Sequence, residues 1–183
     1  THAVASITIV NTVKQLAVVL FIGIANACLI MTGNQIGAGN PQRAFHYAGK
    51  FLRITLICGV LAGLGLILLG RFILLPYKVP AQVSEGALRI LIIYGASLAV
   101  CMINMVTVVG IMRSGGDTRF CIIMDTIAVW LIGLPLALLS AFVWKLPVEW
   151  VYLIISLQEI FKLVLLTLRF RGKKWINNLV HDI

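Results

Sequence analysis

Residues 90–112 read ILIIYGASLAVCMINMVTVVGIM, twenty-three consecutive positions without one charged side chain. A bilayer core about 30 Å thick takes roughly 20 mainly apolar residues of α-helix, and this stretch supplies them. It is too long for a buried strand and lacks the period-two alternation of an outer-membrane β-barrel. Four further stretches of the same kind occupy residues 14–33, 51–75, 120–143 and 150–168, between clusters of charge and turn residues. The chain therefore reads as an all-α, polytopic transmembrane helix bundle of five spans. Composition agrees: 61% of the residues are hydrophobic, 11% are charged and the mean hydropathy is +1.04, which excludes an ordinary water-soluble domain.

A formal net charge of +9 invites a nucleic-acid reading, but the basic residues gather at span ends and no nucleic-acid partner is expected. Arg43, Lys50 and Arg53, then Arg113 and Arg119, then Arg169, Arg171, Lys173 and Lys174 fall on one side. Arg71, Lys78, Arg89 and Lys145 fall on the other, while Lys14 and Lys162 lie within helices. The bias places the first set, and with it the C-terminus, in the cytoplasm. The chain then starts outside. Residues 1–13 offer neither a basic start nor a cleavage site, and no initiating Met is present, so the expectation is a fragment preceded by an odd number of further spans.

The turns are well marked. Gly37-Ala38-Gly39-Asn40-Pro41 stops the first helix, and Pro41 begins an expected short connecting helix toward Lys50. Along it Arg43, His46 and Lys50 share a face suited to anionic headgroups. Pro76-Tyr77-Lys78-Val79-Pro80 breaks the chain before Ser84, Glu85 and Arg89 open the third span. In Arg113-Ser114-Gly115-Gly116-Asp117-Thr118-Arg119 the paired glycines permit positive φ, and Asp117 or Thr118 is placed to cap the next helix. Trp144, Trp150, Tyr152 and Trp175 lie near span ends, where an aromatic belt belongs.

Function is sought among polar groups that hydrocarbon penalises. Asn11, Gln15, Asn26 and Gly33 fall in one narrow stripe of the first helix, which reads either as helix packing or as a substrate-cavity wall. Ser97, Asn104 and Thr107 share a face with Gly110, and Asn104 lies near mid-depth, where cross-helix bonding and ligand contact are both open. Asp125 stands below the cytoplasmic surface, as an ion pair, a cap or a coupling residue. Glu159 is the most costly residue, ten positions before Arg169 and close to the midplane. It reads either as an intrahelical partner of Lys162 or as a protonatable, cation-attracting carboxylate.

No catalytic residue or metal site is expected. HExxH, GxSxG, Walker and dinucleotide-binding glycine patterns are absent, and His2, His46 and His181 lie outside the spans. Cys28, Cys58, Cys101 and Cys121 are scattered singly and read as small apolar packing.

Gly37-Ala38-Gly39-Asn40 with Arg43-Ala44, then Gly110-Ile111-Met112-Arg113-Ser114-Gly115-Gly116-Asp117-Thr118-Arg119, resemble the multidrug and toxic compound extrusion (MATE) family. The similarity, to bacterial members in particular, continues through Trp130 to Pro135 and the closing Arg169-Phe170-Arg171-x-x-x-Trp175. It covers nearly the whole chain. The resemblance implies that residues 1–183 are the last five of twelve helices, in the second of two six-helix lobes. The missing N-terminal lobe of the same protein would be their partner, in a bacterial inner membrane. It also implies export of organic cations, drugs or other amphipathic compounds by alternating access, with H⁺ or Na⁺ as coupling ion and no bound cofactor. Some relatives carry an acidic residue about fifteen positions before the turn's Asp, where this chain has Met102 with Asn104 nearby. Coupling is then expected from the missing lobe, from Asp125 or from Glu159, in that order.

The first functional reading is thus a proton- or sodium-coupled drug antiporter with Asn11, Gln15, Asn26 and Asn104 lining part of its cavity. A lipid-linked saccharide flippase of the same superfamily is the second, disfavoured because only Lys14 and Lys162 would supply a cationic cavity. A non-transporting membrane scaffold is the third.

Overall fold

A computed structural model describes residues 2–74 and 80–177. Among them helix is the only regular structure. Helix α1 runs His2–Gly37, α2 Pro41–Leu74 and α3 Ala81–Val106, the last continuing as a π-helical segment, π1, over Thr107–Met112. The fourth span is composite: α4 (Thr118–Thr126), π2 (Ile127–Gly133), α5 (Leu134–Leu138) and π3 (Leu139–Val143) follow one another without a break, and α6 is Val148–Arg171. Five helical runs, Ile7–Gly37, Pro41–Leu74, Val83–Met112, Thr118–Val143 and Val148–Arg171, are long and apolar enough to cross a membrane. They contain four of the five expected spans and extend them, and cover the expected 51–75 span as far as Leu74, residue 75 lying outside the described residues. The fold is an all-α transmembrane bundle.

The structure corrects several local expectations. Residues 41–50 are not a separate connecting helix; they are the first turns of α2, whose 34 residues reach roughly 50 Å at 1.5 Å per residue. Nothing between Ala48 and Phe51 interrupts the i→i−4 ladder, so the segment continues. Helix α3 opens at Ala81 behind Pro80 and not at Ser84, and Arg89 reaches Glu149 across the bundle at 3.7 Å. The expected break at Pro76–Val79 lies outside the described residues. The π-helical segments were not expected. Pro135 lacks an N–H, and directly before it the chain shifts to i→i−5 bonding, Leu134 N–H donating to Val129 O, which absorbs the interruption without ending the span.

Packing is tightest between α2 and α3, and small residues explain it. Gly59 and Gly63 on α2 face Gly95 and Ala99 on α3; a Cβ at Gly59 would stand 2.8 Å from Ala99 Cα, and one at Gly63 would collide with Gly95 O. In lipid, where tails solvate apolar side chains as well as other helices do, such backbone approach is a principal source of helix association. Gly110 of π1 does the same against α1, its Cβ position 3.0 Å from Ala25 O. Buried clusters run along this three-helix core, with Ile9, Val13 and Leu91 at one end, Phe21, Tyr94 and Leu98 midway, and Ala25, Ile111 and Met112 at the other. The outer surface is strongly apolar: Leu20, Leu68, Phe72 and Phe142 are all more than two-thirds exposed.

Two turns close the same end of the bundle with one geometry. Asn40 N–H bonds Gln35 O and Gly39 N–H bonds Ile36 O; Asp117 N–H bonds Met112 O and Gly116 N–H bonds Arg113 O. Both are Schellman motifs, with Gly39 at φ +73° and Gly116 at φ +75°. Only the second glycine of the Gly115-Gly116 pair uses positive φ. Gly115 is needed for a different reason: a Cβ there would strike the Trp175 carbonyl and ring. Trp175, expected in an aromatic belt, is instead wholly buried. Its indole N–H donates to Phe170 O at 3.2 Å, and Phe170 stacks on Phe45 with centroids 4.7 Å apart. Asn177 N–H then bonds Gly115 O, so the segment after α6 folds back over the turn. Trp144 and Trp150 are exposed.

Candidate functional site

Four polar side chains, Asn104, Asp125, Glu159 and Lys162, converge on one cavity. Glu159 and Lys162 share a face of α6 because three residues bring side chains to the same side of a helix. They meet Asn104 from α3 and Asp125 from α4. Asn104 is 4% exposed, and its Nδ2 donates twice, to Glu159 Oε2 at 2.9 Å and to the Glu159 backbone carbonyl at 2.8 Å. Lys162 Nζ lies 3.0 Å from Asp125 Oδ1 and 3.7 Å from Glu159 Oε1. The intrahelical Glu159–Lys162 pair therefore forms, but the shorter contact joins α6 to α4. One ammonium and one amide tie three helices through two carboxylates.

This network lines a cavity of about 350 Å³. Lys14 on α1 and Arg113 beyond π1 complete its charged wall, and Val18, Met102, Met105 and Val108 supply apolar surface. Amphipathic compounds need both kinds of surface. Lys14 also stands over the Tyr94 ring at 5.5 Å. Asn104 Oδ1 is buried without a hydrogen-bond partner, so an acceptor remains at the site, a position that buried oxygens seldom occupy without function or solvent. Glu159 is twelve residues from the end of α6 at Arg171 and eleven from its start at Val148, at the middle of the helix.

The four cavity residues read from sequence separate. Asn104 lines the cavity; Asn11, Gln15 and Asn26 are exposed on α1 and are not part of its wall. Both ion-coupling candidates, Asp125 and Glu159, do line it. Ser97 and Thr107, which share a face with Asn104, bond back to Tyr94 O and Ile103 O of their own helix and link nothing across the bundle. Lys14 was legible as a within-helix charge available to a cavity, Arg113 only as a turn charge. A signal existed for Lys162, a lysine three residues after a mid-helix carboxylate, but its second partner Asp125 is 37 positions away in sequence.

The turn residues form a second cluster, structural in its contacts. Asp117 occupies the N-cap position of α4, yet its carboxylate makes no cap hydrogen bond. It is held instead by Arg169, Nε to Oδ2 at 2.7 Å and Nη2 to Oδ1 at 3.0 Å, and the guanidinium lies 4.8 Å from the Phe120 ring centroid. A planar donor fork meeting a planar acceptor is the strong form of such a pair. The free thiols Cys28 and Cys121 are buried, Cys58 and Cys101 half-buried. No group of three or more His, Cys, Asp or Glu side chains suited to a metal ion occurs among the described residues.

The family model MatE matches residues 1–139, a stretch that includes both Schellman turns, the contacts of Gly59 and Gly63 with Ala99 and Gly95, Asn104 and Asp125. The chain belongs to the MatE family. It is 28% identical over 142 residues to multidrug and toxin extrusion protein 1 of Xenopus tropicalis, covering 74% of this chain. The MatE chain spans about a quarter of that relative's length, 24%. Glu159 and Lys162 stand beyond the matched residues, so half of the charged network lies on the part of this MatE chain that the family model does not describe. The protein is a multi-pass membrane protein.

Proposed function

We propose that this chain forms part of a multidrug extruder that exchanges organic cations or other amphipathic compounds for inward-moving H⁺ or Na⁺ by alternating access. The observation that carries this reading is the Asn104–Glu159–Lys162–Asp125 network, held within the apolar helical runs and lining a cavity of about 350 Å³. Charge within such runs is costly and is retained where it faces a pathway. The trio of Asp125, Glu159 and Lys162 carries one net negative charge, which suits either a coupling ion or a cationic drug. Family membership and the similarity to a toxin extrusion protein support the transport class. The basic residues of residues 113–119 and 169–174 support a cytoplasmic C-terminus.

A saccharide-lipid flippase is the second reading, because Lys14, Lys162 and Arg113 line the same cavity and give it more cationic character than the sequence alone implied. The test is ethidium efflux from a pump-deficient host expressing the full-length gene product. Efflux that collapses with the ion gradient, and falls at least tenfold in Glu159→Gln and Asp125→Asn, supports the antiporter. Full-length protein that folds but moves no cationic dye supports the flippase or scaffold readings.

A further inference from the structure

Resting on the extruder reading, the geometry points to Lys162 as the residue that sets coupling-ion specificity: its ammonium fills the cation position between Asp125 and Glu159, so that the exchanged ion is a proton and not sodium. Two of the oxygens that a small hard cation would need are present together, Asp125 Oδ1 and Glu159 Oε1. Hard cations take several oxygen ligands arranged around a common centre. Here the two carboxylate oxygens already face the Lys162 nitrogen, at 3.0 and 3.7 Å. The lysine side chain is only 14% exposed, held on a helix and unable to leave as a free ion would.

A proton has no such requirement. It binds one lone pair of one carboxylate oxygen, needs no coordination shell, and leaves Lys162 charged and paired with the remaining carboxylate. The trio then goes from one net negative charge to none. A monovalent organic cation competes for that same single charge, which gives exchange of one proton for one drug cation. The other charged and titratable groups around the trio act in the same direction or stand apart from it. Lys14 from α1 and Arg113 from the end of π1 make the cavity still less hospitable to an added cation, while Cys101 faces it from α3 and Tyr152 lies two turns away on α6. Without Lys162 the same two carboxylates would present two negative charges to that position, a set suited to sodium.

The experiment reconstitutes the full-length gene product in proteoliposomes and follows ethidium transport under an imposed pH gradient or an imposed Na⁺ gradient. Wild type responds to the pH gradient and is unchanged, within twofold, by Na⁺. Lys162→Met gains Na⁺-driven transport of at least fivefold, or, where transport is lost, a rise in melting temperature on adding NaCl that wild type and Lys162→Arg lack. Wild type driven by the Na⁺ gradient overturns the inference while leaving the extruder reading intact. So does a folded Lys162→Met protein with neither Na⁺-driven transport nor Na⁺-dependent stabilisation. Absence of dye transport in wild type under every gradient overturns the extruder reading instead.

Discussion

Asp117 and Arg169, 52 residues apart in sequence, form a two-pronged ion pair in which Nε and Nη2 of the arginine each donate to a separate carboxylate oxygen. The aspartate is almost fully buried and the arginine is mostly so, and the pair fastens the end of α6 to the turn before α4. Asp117→Ala leaves the guanidinium without its partner and is expected to cost about 2 kcal/mol, read as a lower melting temperature in detergent. Arg169→Lys keeps the charge but loses the fork, and recovers less than half of the difference.

Gly63 and Gly65 differ by two positions and by everything that matters in packing. A Cβ at Gly63 collides with the Gly95 carbonyl, whereas nothing lies within 4 Å of one at Gly65. Gly63→Ala must push α2 from α3 and is expected to destabilise by about 1–3 kcal/mol. Gly65→Ala is expected to be neutral or stabilising by up to about 1 kcal/mol through helix propensity. Size-exclusion profiles after graded heating separate the two, and equal behaviour would refute the small-residue interface.

Asn104→Ala removes the two bonds to Glu159 without adding charge. Cross-helix hydrogen bonds in membranes contribute about 0.6 kcal/mol on average, so the expected fall in stability is small, while dye efflux is expected to drop at least tenfold. Asn104→Asp places a third carboxylate beside Glu159 and is expected to be worse in both assays, with repulsion added to the lost donor. A variant with an altered melting temperature and unaltered efflux would assign Asn104 to the scaffold alone.

Buried Trp175 gives a labelling prediction. Lys174 is exposed and Trp175 is wholly enclosed by Gly115 and Phe170, so in a background without native cysteines Lys174→Cys reacts with a membrane-impermeant maleimide from the cytoplasmic face. Trp175→Cys vacates the site and is expected to lower stability by about 3–5 kcal/mol. Arg43→Cys is expected to react from the same side as Lys174→Cys. Reaction of the two from opposite sides would overturn the threading. Gly115→Ala is not rescued by Trp175→Ala, because the Trp175 backbone carbonyl is its nearest obstacle.

The residue pattern by itself determined the solvent, the number of spans, the two glycine turns and the mid-helix position of Glu159. Each of these depends on local quantities: hydropathy over some twenty positions, charge at span ends, the φ that only glycine adopts freely, and the rise per residue. Asn104, Asp125 and Glu159 were legible as costly groups for the same reason. Only the tertiary structure decided that they belong together and that Asn11, Gln15 and Asn26 stand outside their cavity, since helical periodicity fixes which residues share a face but not which helix that face meets. It also decided that Lys162 turns toward Asp125, that Asp117 binds Arg169 and caps nothing with its side chain, and that Trp175 lies inside. Such contacts join residues tens of positions apart, and their partners are selected by how helix surfaces fit, a property of the packed bundle and not of any one segment.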